Sequence, residues 1–371
     1  MGVVDELRSA LDGIAAFDHH AHPLSDGSGV VRDFPWMLTE ASLPDAIAAA
    51  RDHPAYVRAI RDLASFLDVD ESERAIVEAR ERLGFEAHAR QLLEACRFAA
   101  MLVDDGLPMP GAIPLGRQAD LAAAPVRRVL RIETTAEEAA SGWPAFDAVR
   151  ERFRIAVTDA VDAGAAGFKT IAAYRCGLDL PDPDMGEAGE AYERWRAAGV
   201  TRLVEPALVS FFVDEALEVS RGELPLQVHT GLGDTDLVMQ RADPWLLRPW
   251  FERRADVPFV LLHCHPFIRQ ASYLASVYPH VFFDLSLTMT FAPHRGAAML
   301  LEAFELAPVT KVLFATDASW SAEPFYLATK WWREELASAL GRLCADGSVD
   351  EPTAVRWGEG VLAGNARRIY G

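Results

Sequence analysis

His20 and His22 stand two residues apart after a short apolar run, Gly13 to Phe17, and Asp18. In an extended strand, side chains i and i+2 share a face, so both imidazoles project toward one point and form a pincer for a divalent cation. A His-x-His pair alone recurs by chance in loops. Its weight comes from further residues of fitting chemistry, because Lys169, His229, His263 and Asp317 each fall in or at the end of another apolar run. Imidazoles with a carboxylate supply neutral nitrogen and anionic oxygen, the donors suited to Zn²⁺ or a similar ion, and leave a position for water. The chemistry this supports is hydrolysis by activated water. Asp317 would ligate through one oxygen and use the other to take the proton from water and pass it to the leaving group, or else simply cap the helix that follows.

The elements that must position these residues are apolar runs alternating with helical stretches. The runs are Gly13 to Asp18, Arg97 to Val103, Arg127 to Ile132, Gly167 to Ala172, Leu226 to His229, Phe259 to His263, Val281 to Leu285 and Lys311 to Asp317. The clearest helix is predicted over Pro144 to Asp162, where Phe146, Val149, Phe153, Val157 and Val161 recur at helical spacing before Gly164. Strands alternating with helices predict a parallel sheet with helices outside it, and eight such units predict a closed (β/α)₈ TIM barrel of class α/β. Active sites of such barrels lie at the C-terminal strand ends, where the ionisable residues fall.

One interval exceeds a minimal barrel. Roughly seventy-five residues separate the first two runs, far more than an ordinary connection. Asp45 to Cys96 reads as helix, with Leu63, Phe66, Ile76, Leu83, Leu92 and Leu93 as its apolar stripe. A helical insertion over about 33–95 is therefore expected on the barrel rim, as a lid or as a contact between copies in a homo-oligomer. A polar interval, Leu178 to Gly186, is expected to roof the same face. No linker or repeat divides the chain, so 1–371 is expected to form a single domain.

Composition narrows the partners. The chain has 371 residues, 50% of them hydrophobic, with 36 Lys plus Arg against 55 Asp plus Glu and a net charge of −19. Such a charge repels nucleic acid and anionic membrane surfaces, which leaves a small-molecule substrate. No apolar stretch is long enough to span a bilayer, and the first residues lack the charged start and apolar core of a secretory signal. Cys96, Cys176, Cys264 and Cys344 form no CxxC pair, so neither a zinc knuckle nor a disulfide framework is expected, and a reducing, cytoplasmic setting is.

Other residues extend the site. Arg175, just past the fourth run, is placed to bind a substrate carboxylate in bidentate fashion or to form a surface salt bridge. Asp234 follows His229 in a Gly-rich loop and could hold a substrate ammonium or simply shape the turn. His265 shares a face with His263 and is a candidate for the substrate pocket, or a loop histidine. His19 is expected to alternate outward as a packing residue. Asp18 is expected to orient an imidazole from behind the ligands.

Asp18-x-His20-x-His22, the strand-end His229 and His263, and Thr316-Asp317 together resemble the metal-site signature of the amidohydrolase superfamily. Gly364-Asn365-Ala366-Arg367-Arg368-Ile369-Tyr370 is similar to its last helix. Phe168-Lys169-Thr170, Tyr174 to Asp179, His229 to Asp234 and Tyr273 to Pro279 resemble, more narrowly, the amidohydrolase-type domain of the FluG group. In binuclear members of the superfamily a lysine at the end of the fourth strand is carboxylated and bridges two ions. Lys169 stands in that place, so the resemblance leaves one ion or two, and a carboxylated or an unmodified Lys169. His263 would either bind a second ion or polarise the scissile carbonyl. The FluG-like motifs imply cleavage of a linear C–N bond, such as a γ-glutamyl amide, whose carboxylate Arg175 would read. The alternatives are a single-metal lyase or decarboxylase, an isomerase on the same barrel, and a catalytically degenerate regulatory module.

Overall fold

The computed structural model describes residues 2–27 and 34–371; residue 33, where the insertion is expected to start, lies outside them. Seven parallel strands run in sequence order: β1 (Ala16–Ala21), β2 (Phe98–Asp104), β3 (Val126–Arg131), β4 (Gly167–Thr170), β5 (Leu226–His229), β6 (Phe259–Leu262) and β7 (Val281–Phe283). With helices on the outside, this is the α/β TIM barrel.

The eighth run does not form a regular strand among the described residues. It closes the ring through single contacts: Val312 bridges Phe283 in parallel fashion, Leu313 donates its N–H to the Phe283 carbonyl at 3.0 Å, and Asp317 donates to the His20 carbonyl at 2.9 Å. The reason is local. Asp18 accepts the Thr316 N–H at 2.9 Å and the Thr316 hydroxyl at 2.6 Å, so a side chain takes a bond that a ladder would otherwise make. Asp317 then adopts φ +52°, outside the strand region.

Alternation along the strands sorts the core. Met101, Val103, Leu130, Phe168, Val228 and Leu261 belong to the large core shared with the helices, while Leu102, Val129, Val260, Leu262, Phe282 and Leu313 form a separate inner cluster with Phe17 and Tyr370. Two residues beyond Leu102 and Val129 on the inward row stand Asp104 and Arg131. The interior thus changes from apolar to ionisable over a single inward step, at the C-terminal rim.

The insertion is helical, with helices Pro44–Ala49, Pro54–Leu67 and Glu73–Cys96. Leu63, Ile76, Leu92 and Leu93 are buried and Phe66 packs against the core, but Leu83 is 43% exposed. Gly84, at φ +73° and ψ 163°, kinks the last helix, so its two halves do not present one continuous stripe. The helix predicted from Pro144 runs Phe146–Asp162 and buries Val149, Phe153 and Val157. No helix among the described residues is long and apolar enough to cross a membrane.

A buried charge cluster joins insertion to barrel. Glu323, on helix Ala322–Ala345, lies 3.0 Å from His88 Nε2 and 3.3 Å from Arg80 Nε. Burial alone would raise its carboxyl, yet His88 and Arg80 outweigh burial and bring it down to about 2. A depressed carboxyl contributes stability above its unfolded pKa, about 4.3, and that contribution is lost as the pH falls toward 2. Glu323→Ala is expected to destabilise the protein by about 3–5 kcal/mol in urea titration at neutral pH, and by much less near pH 2, because it leaves the Arg80 guanidinium without its counter-charge and His88 Nε2 without its partner.

Candidate metal centre

β1 delivers its histidines through a bulge. Between Asp18 and Ala21 three steps of β1 face two of β2, since Asp18 pairs with Met101 and Ala21 with Val103. The expected alternation therefore breaks. His19, predicted to face outward, is buried with its ring stacked on Tyr370 and its Nε2 2.9 Å from Asp284, while His20 beside it also turns into the interior.

His20 Nδ1 lies 2.8 Å from Gln227 Oε1. The Gln227 amide nitrogen donates to the His19 carbonyl and the Tyr370 hydroxyl, so Oε1 accepts and His20 Nδ1 carries the proton. His22 Nδ1 lies 2.9 Å from the Asp104 carbonyl, which can only accept. Both imidazoles thus turn an Nε2 lone pair toward Asp317 Oδ1, at 3.1 Å from His20 and 3.3 Å from His22. That oxygen is buried and has no hydrogen-bond partner among the described residues. Three electron-rich atoms facing one another with no proton between them are mutually repulsive unless a cation joins them, and the donors fit a divalent ion of the zinc class.

Protonation agrees. Burial, with Lys169 alongside, lowers His20 to about 3, so its imidazole is neutral. Burial would raise Asp317, but His263, whose Nδ1 faces Oδ2, acts against it and the carboxyl stays ionised, well below the usual range. Lys169 is buried with Nζ 3.3 Å from His20 Nε2, and burial lowers its amine to about 8.

His263 and His229 flank this trio. His263 Nδ1 lies 2.8 Å from Ser286 Oγ and 3.4 Å from Asp317 Oδ2. Ser286 donates its own hydroxyl hydrogen to Asp284 at 2.7 Å, so His263 carries its proton on Nδ1 and a lone pair on Nε2. Burial lowers His263 to about 4. The His229 ring lies 4.5 Å from those of His263 and Tyr174, and its Nε2 is 3.1 Å from the Leu232 carbonyl, which leaves Nδ1 as its electron-pair donor. His229 is thus adjacent to the three mutually facing atoms without being one of them. His263, Cys264 and Asp317 hold φ of +68°, +57° and +52°, strained values that cost about 1–3 kcal/mol each and cluster at functional sites.

The remaining expectations meet different fates. Asp18 clamps Thr316 rather than an imidazole, and so positions Asp317 through its chain neighbour; burial raises its carboxyl to about 7. Asp317 is not a helix cap, since the next helix begins at Ala322 with Ser321 ahead of it. His265 is exposed and outside the cavity lining, because β6 ends at Leu262 and two left-handed residues redirect the chain. Asp234 sits exposed at the cavity mouth, where its Oδ1 accepts the Asp236 N–H at 2.9 Å in a local turn. Arg175 lines the cavity, but its Nη1 is held by Glu137 and the Leu203 carbonyl. Leu178 to Gly186 does not line the cavity, whose wall there is Ile171, Tyr174 and Arg175. Sequence reasoning missed Asp104, Gln227, Asp284 and Ser286, which stand behind the histidines. The inward alternation of β2 and β5 was the available signal for the first two.

The cavity above this floor measures about 880 Å³, and the insertion contributes to its wall through residues such as Trp36, Glu40 and Ile47. A TIM barrel with this donor set at its C-terminal rim is a barrel with a candidate metal site. Residues 17–371 match the amidohydrolase family profile, and the chain belongs to that family. The whole chain is 27% identical over 410 residues to protein fluG of Emericella nidulans and spans 47% of that relative, about half its length. A candidate metal-dependent hydrolase from Lactobacillus casei superposes with a TM-score of 0.90 at 30% identity, covering 98% of this chain and 97% of that one. Uronate isomerase from Bacillus halodurans shares the fold with a TM-score of 0.66 at 14% identity, covering 99% of this chain and 96% of that one.

Proposed function

We propose that this chain is a metal-dependent hydrolase that cleaves a C–N amide or an ester bond, with Zn²⁺ held by His20, His22 and Asp317. The observation that carries this reading is the orphaned Asp317 Oδ1, faced by two Nε2 lone pairs at 3.1 and 3.3 Å. A divalent ion there supplies Lewis acidity toward a carbonyl oxygen and toward water. Asp317 Oδ2 takes the proton of the attacking water and returns it to the leaving nitrogen or oxygen. Gln227 and the Asp104 carbonyl keep the two imidazoles in the ligating tautomer. The Nε2 lone pair of His263 and the Nδ1 lone pair of His229 would suit as donors to a second ion, which a carboxylated Lys169 would help to hold. In a one-ion site Lys169 stays an amine beside His20. The FluG-like motifs around Lys169, Tyr174 and His229 carry over the expectation of a γ-glutamyl amide or a similar small acid derivative carrying a carboxylate.

The test is a panel of amides, γ-glutamyl amides and esters offered to the zinc-loaded protein. Release of amine or alcohol is expected, abolished by chelation and restored by Zn²⁺. Absence of hydrolysis across the panel, with isomerisation of a sugar acid or loss of carbon dioxide in its place, would overturn the reading.

A further inference from the structure

Arg131 ends β3 on the inward row and is buried, yet it lines the cavity. Asp104 holds it along one edge: Nε lies 3.0 Å from Oδ2 and 3.3 Å from Oδ1, and Nη2 lies 2.7 Å from Oδ2. A guanidinium carries five N–H groups in a planar fork. The Asp104 pair uses the Nε–Nη2 edge. The Nη1–Nη2 end remains, with Nη1 making no hydrogen bond among the described residues. That end is itself a second fork of two parallel donors, matched in width to a carboxylate.

The surroundings are built to hold this residue in place. A Cβ at Gly106 would come within 2.4 Å of the Arg131 Cβ, so the chain leaving β2 lies directly on Arg131 because residue 106 is glycine. Arg131 pairs in register with Lys169, whose Nζ is 3.3 Å from His20 Nε2, and the residue that clamps Arg131 also supplies the carbonyl on which His22 rests. An anion on the open fork would therefore lie beside the candidate metal centre. A buried ion pair is a poor device for stability alone, since an apolar pair of similar volume fills the same space without desolvating two charges. The other guanidiniums of the cavity are engaged differently. Arg175 Nη1 is taken by Glu137 and Leu203 while its Nε is buried with no hydrogen-bond partner among the described residues, and Arg202, at the mouth, holds Asp236 at 2.7 Å and the Tyr174 carbonyl at 3.1 Å.

We infer that Arg131, rather than Arg175, is the specificity-determining residue of this cavity: its free fork binds a carboxylate of the substrate end-on, selecting amides or esters whose acyl part carries an acid group close to the scissile carbonyl. The inference rests on the cavity being the substrate site proposed above, but not on which bond is broken there.

The test is calorimetric titration of the zinc-loaded protein with glutarate and with its neutral diamide. Arg131→Met is expected to weaken glutarate binding about tenfold or more, the effect of losing a charge-assisted pair, and Arg175→Met less than about threefold. The diamide should bind weakly to all forms. Because Arg131→Met leaves Asp104 buried and unpaired, the double variant Asp104→Asn with Arg131→Met keeps the test valid if the single variant fails to fold, and it must show the same loss. Asp104→Asn alone retains the guanidinium and should bind glutarate at least as tightly as wild type. Wild-type affinity in the variants lacking Arg131, or a loss confined to Arg175→Met, would overturn the inference. Arg131-dependent glutarate binding without hydrolysis of any amide or ester would leave it standing and remove the hydrolase reading instead.

Discussion

Asp317→Asn is expected to lower hydrolysis by the zinc-loaded protein about a thousandfold or more, within the span that general acid–base catalysis contributes, while leaving the fold intact. The carboxylate has two tasks on its two oxygens. Oδ1 faces the Nε2 atoms of His20 and His22, and Oδ2 lies 3.4 Å from His263 Nδ1. An amide retains one oxygen as a weak donor but cannot take a proton from water. The fold should survive because the backbone hydrogen bond from Asp317 to the His20 carbonyl and the clamp of Asp18 on Thr316 do not involve the substituted atoms. The measurement is kcat alongside zinc content and melting temperature. Full turnover in the variant would remove Asp317 as the proton carrier.

His20→Ala is expected to abolish stoichiometric zinc binding, and Gln227→Leu to weaken it about ten- to a hundredfold, the usual cost of losing a partner behind a ligand. The order follows from the geometry. His20 supplies a donor atom, whereas Gln227 only fixes which nitrogen of His20 carries the proton. Without the Gln227 oxygen the buried ring can turn its lone pair from Asp317. Zinc affinity by competition with a chromophoric chelator separates the two, and equal affinity in Gln227→Leu and wild type would show that the tautomer is set elsewhere.

Much of this site was legible in the sequence because barrel strands are short, inward rows repeat every second residue, and ionisable residues at their ends stand out against apolar neighbours. His20, His22, Lys169, His263 and Asp317 do converge. What the sequence hid has physical reasons. A bulge in β1 places consecutive His19 and His20 both in the interior, which strict alternation forbids. Left-handed residues at His263 and Cys264 carry His265 out to solvent, although its i+2 spacing suggested the opposite. Asp18 diverts a ladder bond, so the eighth run closes the barrel without becoming a strand. Arg131 and Asp104 drew no notice because each is an ordinary residue at the end of an ordinary strand. Only their pairing at the rim, with one fork open, distinguishes them.

The central claim is that His20, His22 and Asp317 share one cation. Anomalous diffraction at the zinc absorption edge from crystals of the zinc-loaded protein tests it directly. The expected result is a peak about 2.0–2.2 Å from His20 Nε2, His22 Nε2 and an Asp317 carboxylate oxygen. A peak elsewhere in the barrel, or none between these three side chains at full zinc loading, would contradict it.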